Sequence, residues 1–333
     1  MNKIISSTFH TAVITSEGRV VCWGNNKAGQ CNPPADLENV VQVCCGTSHT
    51  AALTADGQVV CWGDNNYYQC DVPERFAQKN PGVVHVAGSY NTVSIITSDG
   101  CVVCWGNNDA GQCNPPADLT NVVSIYVGYH IAAVTTDGRV VCWGDNEYGQ
   151  CNVPSDLLPV VSVHCSDYRT YAITSDGMVT YWGNQDEYTT AFVPPSFLRE
   201  QNIKISNLIC TDYYTTIAIT ADDGRIICWG DAYDYGEDQS EVPQITNVIV
   251  AGSTRYGNVA LTADGQFVWW GNASTEFSHT QDDAQIMHIC VGREHVTAIL
   301  SDGRVICAGS GYNSHGECDV PDGLVAAGCV ILL

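Results

Sequence analysis

Short runs of apolar and β-branched residues, separated by turn residues, recur along the whole chain. In the fullest copy the runs Val40–Val43, His49–Thr54 and Val59–Gly63 follow one another, with Ala55–Gly57 between the last two. Runs of this length, bounded by Asp-Gly and Asn-rich turns, are typical of antiparallel hairpins. No helical apolar period extends over a helix-length window. The pattern therefore predicts three or four short antiparallel strands in each copy.

A Trp-Gly pair closes each copy of this pattern at a nearly constant position. Tryptophan precedes the closing glycine in seven copies, and Ala308 stands there in the eighth. A second glycine lies six residues before every closing glycine, as Gly57 does before Gly63. The closing glycines are Gly24, Gly63, Gly106, Gly144, Gly183, Gly230, Gly271 and Gly309. A period of this length indicates a repeat architecture in which each repeat is one supersecondary unit.

The repeats predict an all-β fold with one domain over residues 1–333. A small hairpin alone is marginal in water, so the repeats have to bury their faces against each other. Because a closed ring leaves only short, protected edges, we predict a single β-propeller of eight blades, with seven as the alternative, closed by N- and C-terminal strands. The units are expected at about 3–34, 40–73, 83–116, 122–154, 160–195, 205–243, 247–280 and 286–321, with 322–333 as the closing strand.

The repeated side chains are interpreted as structural. Because the tryptophan recurs in copy after copy, packing between blades explains it better than ligand stacking. The Asp-Gly pairs meet a turn requirement, since glycine accepts positive φ without steric cost. One further repeat position, eight residues before the turn glycine, is occupied by His10, His49, His130 and His295. A residue that recurs in this way is more typical of packing than of ligation or catalysis.

The segment Gly46–Gln69 carries most of the motif Gly-x-x-His-Thr-x-Ala-Leu-Thr-x-Asp-Gly-x-Val-x-x-Trp-Gly-x-Asn-x-x-Gly-Gln. The segments Gly24–Gln30, Gly106–Gln112 and Gly144–Gln150 carry its second half. The motif resembles the repeat of the regulator of chromosome condensation family, and the resemblance covers essentially the whole chain. It implies a β-propeller. The best-known members have seven blades and longer repeats, and the short unit is closer to propeller-shaped bacterial β-lactamase inhibitors and to compact viral or bacterial members.

The charge balance bears on partners rather than on the fold. The chain has 13 Lys and Arg residues against 36 Asp and Glu residues, a formal net charge of −23 at pH 7. Nucleic-acid binding needs a basic footprint that the sequence lacks, and an anionic lipid surface is equally unfavourable. We therefore expect a basic protein partner or self-assembly, no nucleic acid and no membrane span. No signal peptide precedes Ile4, so the expected location is the cytoplasm or a virion, and secretion is not supported.

The 18 cysteines are the second unusual feature of the sequence. Two of their positions flank the Asn-rich turn after the Trp-Gly pair and nearly come and go together, since Tyr181 and Thr190 replace both in unit five. Co-occurrence favours a bonded pair, and the alternative is that each cysteine is a small buried apolar residue. The candidate disulfides are Cys22–Cys31, Cys61–Cys70, Cys104–Cys113, Cys142–Cys151 and Cys307–Cys318. Zinc is disfavoured, because Cys101–Cys104 has no second Cys-x-x-Cys pair to complete a site.

No enzyme motif is present, since the sequence lacks a Gly-x-Ser-x-Gly elbow, a phosphate loop, a His-Glu-x-x-His pair and a dinucleotide fingerprint. We therefore expect no catalytic residue, no cofactor and no metal. Residues 165–277 hold 13 of the 22 Tyr and Phe residues, and aromatic residues with Arg are the usual anchors of protein interfaces. The candidate interaction residues, in units five to seven, are Phe192, Phe197, Arg199, Tyr213, Tyr214, Tyr233, Tyr235, Arg255 and Tyr256.

The predicted function is a non-enzymatic β-propeller scaffold for protein–protein interaction. Disulfides without a leader need an oxidising assembly site, and giant DNA viruses of amoebae, which carry proteins of the resembling family, provide one, so a structural component of a viral particle is a candidate. The alternatives are an inhibitor or effector that grips a basic target, and a guanine-nucleotide exchange factor for a small GTPase. Exchange in the founding family member relies on a protruding wedge, for which only Glu74–Gly82 is available here.

Overall fold

Eight small antiparallel sheets follow one another along the chain in the computed structural model. The structure describes residues 4–7, 9–80, 82–184, 193–210, 215–230, 242–255, 257–271, 284–309 and 315–326. Over these ranges the chain forms 24 strands in eight sheets, and every sheet takes its three strands from one continuous stretch. Each sheet is a blade whose second strand lies between the first and the third. The eight blades confirm the predicted fold class.

The strands have similar lengths in all blades. The first strands are β1 (Ile4–Ser6), β4 (Val40–Cys45), β7 (Val83–Ser89), β10 (Val122–Val127), β13 (Val160–Cys165), β16 (Ile205–Cys210), β19 (Val248–Ser253) and β22 (Ile286–Val291). The second strands are β2 (His10–Ile14), β5 (His49–Thr54), β8 (Thr92–Thr97), β11 (His130–Thr135), β14 (Arg169–Thr174), β17 (Thr215–Thr220), β20 (Gly257–Thr262) and β23 (His295–Leu300). The third strands are β3 (Val20–Gly24), β6 (Val59–Gly63), β9 (Val102–Gly106), β12 (Val140–Gly144), β15 (Val179–Gly183), β18 (Ile226–Gly230), β21 (Phe267–Gly271) and β24 (Val305–Gly309). A 3-10 turn, Glu74–Phe76, and a short helix, α1 (Ser196–Glu200), lie in the connections.

The register of each blade follows from its hydrophobic pattern. In blade 2, His49 pairs with Gly63 and Thr50 pairs with Trp62. The second strand of this blade is buried along its whole length, because strands of its own sheet and the neighbouring blades cover it. The Asp-Gly turn between the second and third strands requires a residue that accepts positive φ, and Gly57 has a φ of +81° there.

Each pair of neighbouring blades encloses an apolar core. The described residues form eight such clusters, one at every junction of the ring. Between blades 1 and 2, for example, Ile14 and Val20 of one blade pack with Val43 and Trp62 of the next. Full burial of one tryptophan stabilises by at most roughly 5 kcal/mol at ~25 cal/mol per Å². The apolar burial that stabilises the fold therefore lies mainly between the blades.

The repeated tryptophan also links neighbouring blades through a hydrogen bond. Trp62 Nε1 donates to the backbone oxygen of Gln30 in the preceding blade at 2.9 Å. The same bond recurs at the next three junctions, from Trp105 to Gln69, from Trp143 to Gln112 and from Trp182 to Gln150. The acceptor is always the glutamine of the repeated Gly-Gln or Tyr-Gln pair. This bond explains why tryptophan and glutamine recur together.

Blade 8 meets blade 1 in the same way, which closes the ring. Trp23 Nε1 donates to the backbone oxygen of Glu317 at 2.8 Å, and β1 contacts β22 as the other first strands contact their neighbours. Ala326 forms a β-bridge with Thr15 of blade 1, and the adjacent Val325 forms one with Arg304 of blade 8. Both ends of the chain thus take part in closure. Residues 327–333 of the expected closing strand lie outside the described residues, and the unit boundaries stay a prediction.

The strands give the ring two faces. The Asp-Gly turns lie on one of them, called the Asp-Gly face below, where each new first strand also begins; the backbone nitrogen of Val40 donates to the oxygen of Gly18 at 2.8 Å. The turns between first and second strands lie on the opposite face, together with the segments that follow the Trp-Gly pairs. Because the first strands contact one another around the ring, they line its central channel. The turns that follow them therefore lie at the channel mouth.

Candidate interaction surface

Two of the predicted interaction residues lie on the Asp-Gly face. Phe197 and Arg199 belong to α1, and Leu198 between them is buried in the core between blades 5 and 6. Phe197 is 37% exposed, and Arg199 lines a groove of about 440 Å³ together with Asp176 of the neighbouring turn. The short helix thus presents one aromatic and one cationic side chain on an acidic background.

Arg255, the third described candidate, lies on the opposite face. It belongs to the turn between β19 and β20, and its Nη1 is 3.6 Å from Glu294 Oε1. The structure therefore does not bring Arg255 together with Phe197 and Arg199. The remaining candidates, Phe192, Tyr213, Tyr214, Tyr233, Tyr235 and Tyr256, lie outside the described residues. An interaction face on units five to seven stays a prediction.

The cysteine pairs differ in their bonding state. Cys307 and Cys318 lie at disulfide distance, whereas the members of the other four candidate pairs are not bonded to each other in the structure. In the first pair, Cys31 Sγ donates to the backbone oxygen of Asn25 at 3.3 Å. Burial raises the pKa of Cys22, and the adjacent Cys31 raises it further. The two thiols are thus neighbours and both protonated at neutral pH, and the pairing of these four sets stays a prediction.

The insertion that follows blade 2 packs against the ring. Phe76 is buried in the core between blades 2 and 3, and Gln58 Nε2 donates to the oxygen of Ala77 at 2.8 Å. Lys79 Nζ lies 3.4 Å from Asp56 Oδ2. These contacts hold residues 74–80 on the Asp-Gly face of blade 2. In its described part the segment therefore does not form the protruding wedge that the exchange-factor alternative requires.

The recurring histidines lie between blades. His10 Nε2 is 2.9 Å from Thr50 Oγ1, and His130 Nε2 is 2.7 Å from Thr170 Oγ1 in the next blade. Burial lowers the pKa of His130 to about 4, although Asp145 opposes the shift. The imidazoles of His10 and His130 are therefore neutral and act as hydrogen-bonding groups within the core, which is a structural role.

Tyrosines gather on the face opposite the Asp-Gly turns. Tyr90 of blade 3 stacks on Tyr129 of blade 4, with ring centroids 4.2 Å apart and planes 21° apart. The Tyr90 hydroxyl donates to Asp167 Oδ1 in blade 5 at 2.8 Å. Tyr148 and Tyr168 meet edge to face with centroids 5.0 Å apart. One aromatic cluster thus spans blades 3 to 5 at the channel mouth.

We call this surface, with its extension to blade 2, the tyrosine face. It is formed by segments 46–48, 64–71, 88–91, 107–114, 128–129, 145–152 and 166–168. Its tyrosines are Tyr67, Tyr68, Tyr90, Tyr129, Tyr148 and Tyr168. Its carboxylates are Asp64, Asp71, Asp109, Asp145, Glu147 and Asp167, and none of these segments contains Lys or Arg. The cations of the described chain instead lie mostly on the Asp-Gly face, at Arg19, Arg75, Lys79, Arg139, Arg199, Lys204, Arg225 and Arg304.

One feature of the sequence could have indicated the tyrosine face. Tyr129 and Tyr168 each directly precede the first residue of a second strand, and Tyr67 and Tyr148 share a position after the Trp-Gly pair. An aromatic residue that recurs at turn positions, where packing does not require it, indicates exposure. What the sequence could not provide is the approach of Tyr90 to Asp167, because these residues are 77 positions apart.

The described residues show neither a metal centre nor a membrane helix. They contain no group of three or more His, Cys, Asp or Glu side chains that could hold a metal ion. No helix within the described ranges is long and apolar enough to cross a membrane.

Solved structures share this fold over most of the chain. The CRINKLY WD40 ectodomain of the Arabidopsis thaliana receptor kinase ACR4 is 17% identical with a TM-score of 0.60, covering 95% of this chain and 97% of that one. Human WBSCR16 is 19% identical with a TM-score of 0.56, covering 89% and 85%. Yeast RCC1 (Prp20), solved with Kap60 bound, is 17% identical with a TM-score of 0.50, covering 95% and 82%. At these identities the likeness concerns the fold alone.

Comparison of sequences identifies the repeat itself. No curated protein matches the chain. The family model described as the regulator of chromosome condensation (RCC1) repeat matches residues 6–30, 40–69, 83–112 and 122–150, which are blades 1 to 4. Blades 1 to 4 therefore carry RCC1 repeats.

Proposed function

We propose that this protein is a non-catalytic β-propeller that binds a basic protein partner on its tyrosine face. The carrying observation is the local composition of the tyrosine face: six tyrosines and six carboxylates share segments of blades 2 to 5 that contain no Lys or Arg. Exposed aromatic side chains anchor protein interfaces. A field of one sign steers an oppositely charged partner and raises its association rate.

Two tyrosines of this face support the proposal through their backbone. Tyr68 has a φ of +61° and Tyr90 a φ of +46°, whereas the other described non-glycine residues with positive φ are all asparagines. At the position of Tyr68, blades 1, 3 and 4 have Gly29, Gly111 and Gly149, each with positive φ. A bulky residue in this conformation costs roughly 1–3 kcal/mol, and such strain persists mostly at functional sites. Tyr68 is also 70% exposed, so packing does not explain it.

The test compares two variants with the same charge change on opposite faces. Asp109→Lys combined with Glu147→Lys reverses charge on the tyrosine face, and blade 1 already has Lys27 at this position. The control, Asp118→Lys with Asp156→Lys, changes exposed residues of the same blades on the Asp-Gly face. Quantitative mass spectrometry of proteins captured from the native source should show a basic partner that wild type and control retain and the first variant loses. Equal capture by both variants would contradict the proposal.

The substitution Tyr68→Gly tests whether Tyr68 serves binding or stability. The substitution removes backbone strain, so the free energy of unfolding should rise by about 1 kcal/mol. It also removes an exposed aromatic anchor, so capture of the same partner should weaken. Stabilisation accompanied by loss of binding is the pattern expected of a residue kept for function. If the variant is more stable and binds the partner as tightly as wild type, Tyr68 does not take part in binding.

A more specific proposal is that the protein is a structural component of a viral particle, where it would assemble with copies of itself. Its location would then be the virion or the cytoplasm. This proposal is supported by the many cysteines and is tested by the abundance of the protein in purified particles. Nucleotide exchange is not proposed, because residues 74–80 pack against blade 2.

A further inference from the structure

We propose that the channel mouth on the tyrosine face holds a binding site for an arginine side chain, formed by the ring of Tyr129, the ring of Tyr168 and the carboxylate of Asp167. The inference rests on the proposed function and identifies the chemistry of the basic partner at its central contact: an arginine-containing segment that lies across blades 3 to 5.

The geometry places a carboxylate beside aromatic planes. The Tyr90 side chain crosses from blade 3 over Tyr129 of blade 4 and donates its hydroxyl to Asp167 of blade 5. Tyr168 follows Asp167 in the chain and meets Tyr148 edge to face. Tyr129 is 44% exposed and Tyr168 is 51% exposed. A ligand at the mouth therefore meets two exposed tyrosine rings and one carboxylate within the same group of turns.

The carboxylate of Asp167 lacks a cation in the described structure. It is partly buried, and burial raises its pKa, while the hydrogen bond from Tyr90 opposes the shift. Arg169, two residues away, is buried and donates its Nε proton to the oxygen of Asn184 at 2.6 Å. No Lys or Arg of the described ranges forms an ion pair with Asp167. A partly desolvated carboxylate is unfavourable alone, and a cationic ligand would offset that cost.

The shape of the site favours a guanidinium over an ammonium group. Tyr90 and Tyr129 lie nearly parallel and in contact, so a ligand meets the outer face of a stacked pair rather than an aromatic cage. A planar guanidinium stacks on such a surface while its N–H groups reach an adjacent carboxylate. A lysine ammonium is a compact and strongly hydrated charge, which gains less from a flat ring.

The experiment measures binding of labelled peptides to the full chain by fluorescence anisotropy. Three peptides of equal length and charge carry arginine, lysine or trimethyllysine at the same positions. Wild type should bind the arginine peptide about five-fold more tightly than the lysine peptide, the size expected of exposed cation–π contacts. Added salt should weaken the binding of both peptides, because salt screens the exposed carboxylates of the tyrosine face. The ratio of their dissociation constants should stay unchanged.

Variants assign the preference to the site. Asp167→Asn keeps the side-chain shape, and Tyr129→Leu keeps an apolar group without a ring face. Both should bring the arginine-to-lysine ratio close to one, while Asp118→Asn, with the same charge change on the Asp-Gly face, should leave it unchanged. Thermal unfolding of each variant controls for loss of the fold. If Tyr129→Leu proves unstable, the result with the conservative Asp167→Asn alone decides whether the site exists.

The outcomes separate this inference from the proposed function. One outcome is that wild type binds the arginine and lysine peptides equally and that Asp109→Lys with Glu147→Lys weakens the binding of both. This outcome would overturn the arginine site and retain the proposed function of the tyrosine face. Tightest binding of trimethyllysine would overturn it in favour of a quaternary-ammonium site. An unchanged ratio in both Asp167→Asn and Tyr129→Leu would show that these residues do not form it. Absence of binding to all three peptides would count against the site and the proposed function together.

Discussion

The junction between blades 1 and 2 and the junction between blades 2 and 3 share a framework but differ in one side chain. At the first, His10 Nε2 lies 2.9 Å from Thr50 Oγ1, and that hydroxyl donates to the oxygen of Gln30. At the second, His49 stands in the place of His10, but Val93 takes the place of the threonine. Neither ring nitrogen of His49 has a hydrogen-bond partner in the described structure.

The difference shows which contact the two junctions share and which only one of them makes. Both junctions keep the bond from the indole nitrogen to the glutamine oxygen, at 2.9 Å for Trp62 and 3.0 Å for Trp105. The histidine–threonine bond is present at the first and absent at the second. The junction between blades 4 and 5 repeats the complete arrangement, with His130, Thr170 and Gln150. The tryptophan bond is thus common to these three junctions and is called the constant joint below, and the histidine–threonine bond is a second link that the junction between blades 2 and 3 lacks.

The largest effect should come from breaking the constant joint. Trp62→Ala and Trp105→Ala should each lower the free energy of unfolding by about 3–5 kcal/mol, because both leave a cavity in a buried core. Urea denaturation checks the values. Similar losses at both junctions would support one common joint, and a loss below about 1.5 kcal/mol at either would contradict it.

Acid should destabilise the ring next most strongly. Burial lowers the pKa of His49 to about 4, and that of His10 to about 3 with added repulsion from His49 and His295. The unfolded value is about 6.5, so the unfolded chain takes up these protons first. Stability is therefore retained above pH 6.5 and lost as pH falls from 6.5 towards 4. His49→Leu should flatten this pH dependence, measured as the melting temperature against pH; an unchanged slope would show that His49 does not titrate on unfolding.

Removing the second link should cost less than removing the joint. Thr50→Val leaves the buried His10 nitrogen without its partner and should lower the free energy of unfolding by about 1–3 kcal/mol. Thr170→Val is the matched variant at the junction between blades 4 and 5 and should cost a similar amount. Denaturant midpoints provide the measurement. Two neutral substitutions would mean that these bonds contribute nothing beyond packing.

Restoring the link is expected to have the smallest effect. Val93→Thr places a hydroxyl where it can reach both His49 and the oxygen of Gln69, and should raise the free energy of unfolding by about 1 kcal/mol. A double-mutant cycle with His49→Leu isolates the new bond. If Val93→Thr stabilises equally in the His49→Leu background, the gain does not come from that bond.

The fold was predictable because its signals are local. Each turn glycine and each Trp-Gly pair lies within one hairpin, so the repeated pattern specifies blade after blade, and the number of hairpins predicts the number of blades. The role of the repeated tryptophan also follows, since a residue that recurs in seven of the eight copies is explained best by packing between blades. Even the replacement of threonine by Val93 is visible in the sequence once the register of His49 and Thr50 is known.

The proposed binding surface was less predictable because it depends on contacts between blades. The excess of aromatic residues drew attention to units five to seven, whereas the described tyrosine cluster lies on blades 2 to 5. The bond from Tyr90 to Asp167 depends on the curvature of the ring, which places turns of blades 3 and 5 on either side of Tyr129. The strain at Tyr68 likewise becomes visible only when its φ is set beside that of Gly29.

Blade 8 meets blade 1 through the same kind of contacts that join the other blades. No sheet in the described structure mixes strands from the two ends of the chain, and the indole of Trp23 bonds to Glu317 as other indoles bond within the ring. The seam is therefore one more ordinary junction, strengthened by the bridges of Val325 and Ala326. Because the seam uses the same kind of contacts as the other junctions, closure depends on no sheet shared between the two ends of the chain.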